Sequence, residues 1–119
     1  MFRELLQDVV NRTEGGLAGL LMGFDGIAVD QFVREGAALD VETVGMEFSV
    51  ILKQIRKAAE MLEAGSAAEV SIKAEKMTTV IRLLNDEYFV AIALEPSGNQ
   101  GRARFLLRAS AHKLLSNLE

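Results

Sequence analysis

The sequence predicts an α+β sandwich: a five-stranded antiparallel sheet with helices on its faces, in the order α-β-β-α-β-β-β-α. Three observations lead to it. Residues 17–24 and 87–94 are apolar on both strand faces, as strands covered from both sides must be. A nearly uncharged run from Gly15 to Asp30 is broken by Asp25-Gly26, a tight-turn signal between apolar segments. Three other stretches carry apolar residues at helical spacing.

Phe2, Leu5, Leu6, Val9 and Val10 make residues 2–13 an amphipathic helix, ended by Gly15-Gly16. Residues 17–24 and 27–34 form a hairpin across Asp25-Gly26, with a primed turn expected because glycine adopts positive φ freely. Polar members of the second strand mark it as an outer strand. Residues 41–63 form the longest helix, with Asp40 as its N-cap and Gly65 as its stop. In residues 68–75, Val70, Ile72 and Ala74 alternate with Glu69, Ser71, Lys73 and Glu75, a period of two. Residues 78–84 pair back across a turn near Lys76-Met77, and Asn85-Asp86 turns the chain into 87–94. Pro96 closes that strand, and Ser97 or Asn99 caps a last helix over 100–118. Leu107, Ala111, Leu114 and Leu118 line one face of it. The first and fifth strands should lie centrally.

The 119 residues, half hydrophobic and a quarter charged, suit one globular domain over 1–119. Cysteine is absent, which removes disulfides, thiol nucleophiles and cysteine-based metal sites and fits a reducing cytoplasm. The net charge of −4 does not favour nucleic acid as a partner. No apolar run approaches the roughly 18 residues of a membrane span, and the N-terminus lacks a signal-peptide layout. The expectation is a soluble cytoplasmic domain.

Catalysis finds no foothold. His112 is the only histidine, mid-helix, with no triad partners in reach. Glu60 and Glu63 read as a solvated face, and one histidine cannot make a metal site. The glycines at 15, 16, 19 and 23 fit neither a P-loop nor a dinucleotide fingerprint. Gly98 to Arg104 could hold an anion at a helix N-terminus, but a tight turn and a capped helix account for it. No catalytic residue, cofactor or metal is expected.

The long helix carries more information. Val44, Phe48, Ile51, Leu52, Ile55, Ala58, Ala59 and Leu62 form an arc expected on the sheet. Met46, Val50 and Met61 fall on nearly the opposite side, among Lys53, Gln54 and Lys57 and bordered by the small residues Gly45 and Ser49. Apolar residues there are either scattered exposed methionines or a face for another protein.

With these elements in this order, and in the segments Gly15–Val29, Asp86–Leu94 and Gly98–Phe105, the chain resembles the Roadblock-type (dynein light chain Roadblock) domain family, in its bacterial and archaeal, MglB-like branch. The resemblance spans essentially the whole chain. It implies a Roadblock/profilin-like sandwich and a non-enzymatic regulator. It also implies a homodimer, or a heterodimer with a second Roadblock-type subunit, made by pairing long helices and joining sheets edge to edge. The implied partner is a Ras-like small GTPase, whose hydrolysis MglB-type members stimulate. The family's partner surface corresponds here to Gly45, Met46, Ser49, Val50 and Lys53, with Lys57 and Met61 further along the helix. The strand around Val70 and Ile72 corresponds to the dimer edge.

The sequence shows no arginine-finger loop, so activation would rearrange the GTPase's own catalytic residues. It also lacks the long C-terminal tail of some activators, so binding is the first expectation and activation the second. Two other readings stand beside this one: a structural adaptor dimer without a GTPase partner, and a small-molecule sensor, which would need a cavity in the core.

Overall fold

Eight elements fold in the expected order in the computed structural model, which describes residues 1–119. They are α1 (Phe2–Asn11), β1 (Gly16–Gly23), β2 (Ala28–Val33), α2 (Val41–Met61), β3 (Glu69–Lys73), β4 (Thr78–Leu83), β5 (Tyr88–Leu94) and α3 (Gln100–Leu118). The strands form one antiparallel sheet in the order β2-β1-β5-β4-β3. β1 and β5 are both interior, and β2 and β3 are the two edges.

Alternation along the inner strands builds a core on each face. Leu21, Val90 and Ile92 point to one side, where they pack with Leu6 and Val10 of α1 and Leu107 of α3. Leu20, Met22, Phe89 and Ala91 point to the other, where they meet Leu52 of α2. The first face has two helices: α1 over β1 and β2, and α3 over β4 and β5. The second has only α2, which lies over β1 and β2.

The β1–β2 turn departs from the expected primed geometry. Gly26 N–H donates to the Gly23 carbonyl at 2.9 Å, and Gly23 N–H donates to the Ile27 carbonyl at 2.9 Å. Only Gly26 has positive φ, at 86°, where a type I′ turn needs it at two residues. The loop is therefore a type I turn followed by a left-handed glycine. Asp25 fixes it by accepting from Ile27 N–H at 3.0 Å.

Helix ends follow their caps. Asp40 accepts from Thr43 N–H at 3.2 Å and from the Thr43 hydroxyl at 2.8 Å. The Thr43 hydroxyl first, then its amide, hold the Asp40 carboxyl below the ordinary carboxylate value. Asn99 caps α3 by accepting from Arg102 N–H at 3.0 Å. At the end of α2 the stop is Glu63, not Gly65. Glu63 takes φ 56°, and the Ala64 and Glu63 amides donate to the Ala59 and Glu60 carbonyls at 2.9 and 3.0 Å. This is a Schellman closure with a carboxylate side chain where glycine is usual.

The buried face of α2 is rotated from the expected arc. Val41, Gly45, Ser49 and Leu52 face the sheet, whereas Ile51 and Leu62 are exposed. Gly45 is the cause. A Cβ there would overlap Leu20 Cδ2 and lie 2.9 Å from Met22 Sδ, so its absence lets the helix backbone settle onto β1. Gly45 and Ser49, expected at the border of the outer patch and on a partner surface, instead lie buried against the sheet. Their smallness serves contact within the chain, and Ser49 satisfies its hydroxyl on the Met46 carbonyl at 2.7 Å.

Gly45→Val is expected to lower the unfolding free energy by about 1–3 kcal/mol through overpacking, read as a lower urea midpoint. An unchanged midpoint would contradict the close approach of α2 to β1. Glu63→Gly should raise stability by about 1 kcal/mol by relieving the left-handed conformation, whereas Glu63→Ala should give no such gain.

Candidate partner interface

The outer side of α2 carries an apolar strip of Met46, Val50 and Met61. With Ile51 and Leu62, they are between 45% and 78% exposed and make up most of the large exposed apolar residues in the chain. Lys53 and Lys57 are exposed beside Val50 and Met61, and neither takes part in an ion pair. Of the residues expected on this surface, Met46, Val50, Lys53, Lys57 and Met61 stand on it. Gly45 and Ser49 lie beneath it, against the sheet. Ile51 and Leu62 are exposed as well, on a separate flank of α2 beyond Glu47 and Gln54, although helical spacing alone places them on the core arc. The signal that could have moved them is the pair of small residues one turn apart, which marks a close approach without saying to what.

Two neighbouring loops lie against α2 along the strip. Near its start, the hairpin glycine Gly26 lies beside Met46 and Ser49. Further along, Arg56 reaches from α2 to the β4–β5 turn, with Nη1 donating to the Asp86 carbonyl at 3.1 Å. Its guanidinium carbon sits 4.4 Å from the centroid of the Phe24 ring, and Phe24 packs on Phe89 at 5.3 Å. An open cleft of about 600 Å³ lies next to this anchor, lined by Arg56, Glu60, Glu63, Asn85 and Asp86 among others. No cluster of His, Cys, Asp or Glu in the chain is arranged to hold a metal ion.

The two sheet edges differ. On β3, Val70 and Ile72 are half-buried on the α2 side and join the core cluster there. Ala74 N–H donates to the Met77 carbonyl at 3.0 Å, and the Ala68 carbonyl accepts from Leu83 N–H at 2.9 Å. Antiparallel alternation from these two bonds turns the N–H and C=O of Glu69, Ser71 and Lys73 outward, away from β4. β3 therefore presents an unpaired strand edge at the end of the sheet away from β2. On β2, by contrast, Gln31 N–H donates to the Asp30 carboxylate at 2.8 Å, and the Gln31 carbonyl accepts from Arg3 at 2.9 Å.

No family model matches the chain, and none of the curated proteins does. Solved structures do. The chain is 44% identical to MglC from Myxococcus xanthus, over 98% of each chain, with a TM-score of 0.71. It is similar in fold to the gliding protein MglB from Thermus thermophilus (14% identity, 91% of this chain and 81% of that one, TM-score 0.80). It also shares its fold with a Roadblock/LC7 domain from Streptomyces avermitilis (12% identity, 94% and 96%, TM-score 0.75). The sheet order, the helix layers and the identity to MglC agree, and the chain belongs to the Roadblock-type domain family, in its bacterial MglB/MglC-like branch.

Proposed function

We propose that this chain is a non-enzymatic, dimeric cytoplasmic regulator that binds a Ras-like small GTPase through the outer side of α2. The observation that carries the reading is the exposed apolar strip on a helix that packs on the sheet through Val41, Gly45, Ser49 and Leu52. Burying such side chains contributes about 1.5–3 kcal/mol each, and adaptable methionines suit a surface that must fit a moving partner. The resemblance of the sequence to Roadblock domains, and its kinship with MglC, support the choice of a GTPase over an unrelated protein. The absence of cysteine fits a reducing cytoplasm.

The dimer rests on β3. Pairing two copies antiparallel about Ser71 would set the outward amides and carbonyls of Glu69, Ser71 and Lys73 against one another. Each Glu69 would then face the other copy's Lys73, and each Val70 the other copy's Ile72. The edge is self-complementary, as a two-fold interface requires. In the single chain Glu69 meets Arg82 at 3.4 Å and Lys73 donates to the Pro96 carbonyl at 2.9 Å, so both side chains are already held near the edge.

Val50→Arg should leave folding intact, since Val50 is exposed, and weaken GTPase binding by about tenfold or more. Unchanged affinity would remove the outer side of α2 from the interface. With wild-type protein, faster GTP hydrolysis by the bound GTPase marks an activator, and an unchanged rate marks a scaffold. No binding to the GTPase in either nucleotide state would favour the adaptor dimer. For the edge, Lys73→Glu should weaken self-association by setting glutamates opposite one another, and Glu69→Lys with Lys73→Glu should restore it. Light scattering across a dilution series reads both, and failure of the double substitution to restore the dimer would reject the register.

A further inference from the structure

The opposite face of the molecule carries a second feature, independent of α2. Helix α3 holds Arg102, Arg104, Arg108 and Lys113 and no acidic residue from Gln100 to Leu118, in a chain of net charge −4. None of these four cations takes part in an ion pair within the chain. Arg102 Nε donates to the Arg12 carbonyl at 3.3 Å, which steadies that guanidinium without neutralising it. Phe105 is 50% exposed at the middle of the solvent side of the helix. At about 100° per residue, Arg102 and Arg108 flank it on either side and His112 lies about two turns further along the same side. The Arg108 guanidinium carbon sits 5.9 Å from the centroid of the Phe105 ring. The buried side, with Ala103, Leu106, Leu107 and Leu114, already fills the core, so Phe105 has no role in folding that explains its position.

We propose that the outer face of α3 docks an acidic segment of another protein that also presents an apolar side chain, with Phe105 as the apolar contact and Arg102 and Arg108 gripping carboxylates on each side. A central aromatic flanked by arginines is the usual make-up of a protein-binding hot spot, and the arginine fork matches carboxylate geometry. Charge complementarity selects an acidic occupant. The neighbouring surface selects a narrow one. α1 lies against α3 and carries Glu4 and Asp8, with Glu14 in the loop that follows, all exposed. Glu4 and Asp8 are paired with the N-terminal amine and Arg12. A flat anionic bilayer or a DNA duplex would therefore have to cover these neutral pairs and the free Glu14 carboxylate as well as the arginines, whereas a single extended or helical segment meets α3 alone. The two faces are separated by the sheet, so this segment and the α2 partner can be held together.

The test uses the full chain and a short fluorescent Glu/Asp-rich peptide containing two leucines, alongside the same peptide with both leucines changed to glutamine. The leucine peptide should bind, more weakly as salt rises, and lose about tenfold or more in affinity with Arg102→Glu/Arg108→Glu. Phe105→Ala should weaken the leucine peptide and leave the glutamine peptide unaffected. Val50→Arg should change neither. Thermal unfolding checks that the variants are folded, and Arg108→Gln serves as a milder second variant. Equal affinity for both peptides with no response to Phe105→Ala would reduce the face to plain charge attraction and overturn the proposal. Stronger binding to phosphatidylserine vesicles or duplex DNA, or salt-sensitive self-association abolished by the same substitutions, would also overturn it.

Discussion

Everything in this fold follows from a sheet that is apolar on both faces and unequally covered. Leu20 and Leu21, neighbours in β1, are both fully buried, and so are Phe89 and Val90 in β5. Water must be kept off both sides of these strands. Two helices do this on one face. On the other a single helix has to suffice, and it does so by lying close, with the backbone of α2 brought down at Gly45 onto Leu20 and Met22. A helix set that low over β1 and β2 seals the centre of the sheet. It leaves its own far side and the β3 margin apolar and in reach of solvent. The uncovered strip and the half-buried Val70 and Ile72 have one origin, a face that the chain covers with one helix.

The fold is largely legible in the sequence because its signals are local. Residue-by-residue alternation assigns Val70 and Ile72 to one side of β3, and two-sided apolar runs identify β1 and β5 as interior. Asp40 and Asn99 mark their helices by chemistry that acts within three residues. What stays hidden depends on contacts far along the chain. Gly45 and Ser49 read equally well as facing a partner or facing the sheet. Only the position of Leu20, far back in β1, decides between them. The same rotation exposes Ile51 and Leu62. The place of the β1–β2 turn can be read from Asp25-Gly26, but its type cannot, because Asp-Gly serves both a primed turn and a left-handed glycine closing a longer loop. The end of α2 shows the limit of residue preference: Glu63 holds the left-handed conformation that closes the helix, although Gly65 stands just beyond it.

Charge is distributed as unevenly as apolar surface. The chain is acidic as a whole, yet α3 carries only basic charges on its solvent side. Arg56, by contrast, is consumed internally, stacked on Phe24 and bonded to the Asp86 turn. Two uses of arginine thus contrast: Arg56 fastens α2 to the sheet, and those on α3 are left without a carboxylate partner. Lysines sit at the borders of the apolar strip, where their long stems can cover part of it without blocking approach.

The difference between the two sheet edges sets how far an assembly of such sheets can grow. A strand edge with free amides and carbonyls is a template, and a molecule with two of them can add neighbours at both ends without limit. Here Arg3 and Asp30 already occupy the hydrogen-bonding groups of Gln31 in the middle of β2, whereas the outward groups of β3 are free. A unit with one valence can join one other and then stop. In the dimer proposed through β3, two side chains at the other edge would help to close the pairing at two copies, with termination built into the chain rather than imposed by a cap from outside.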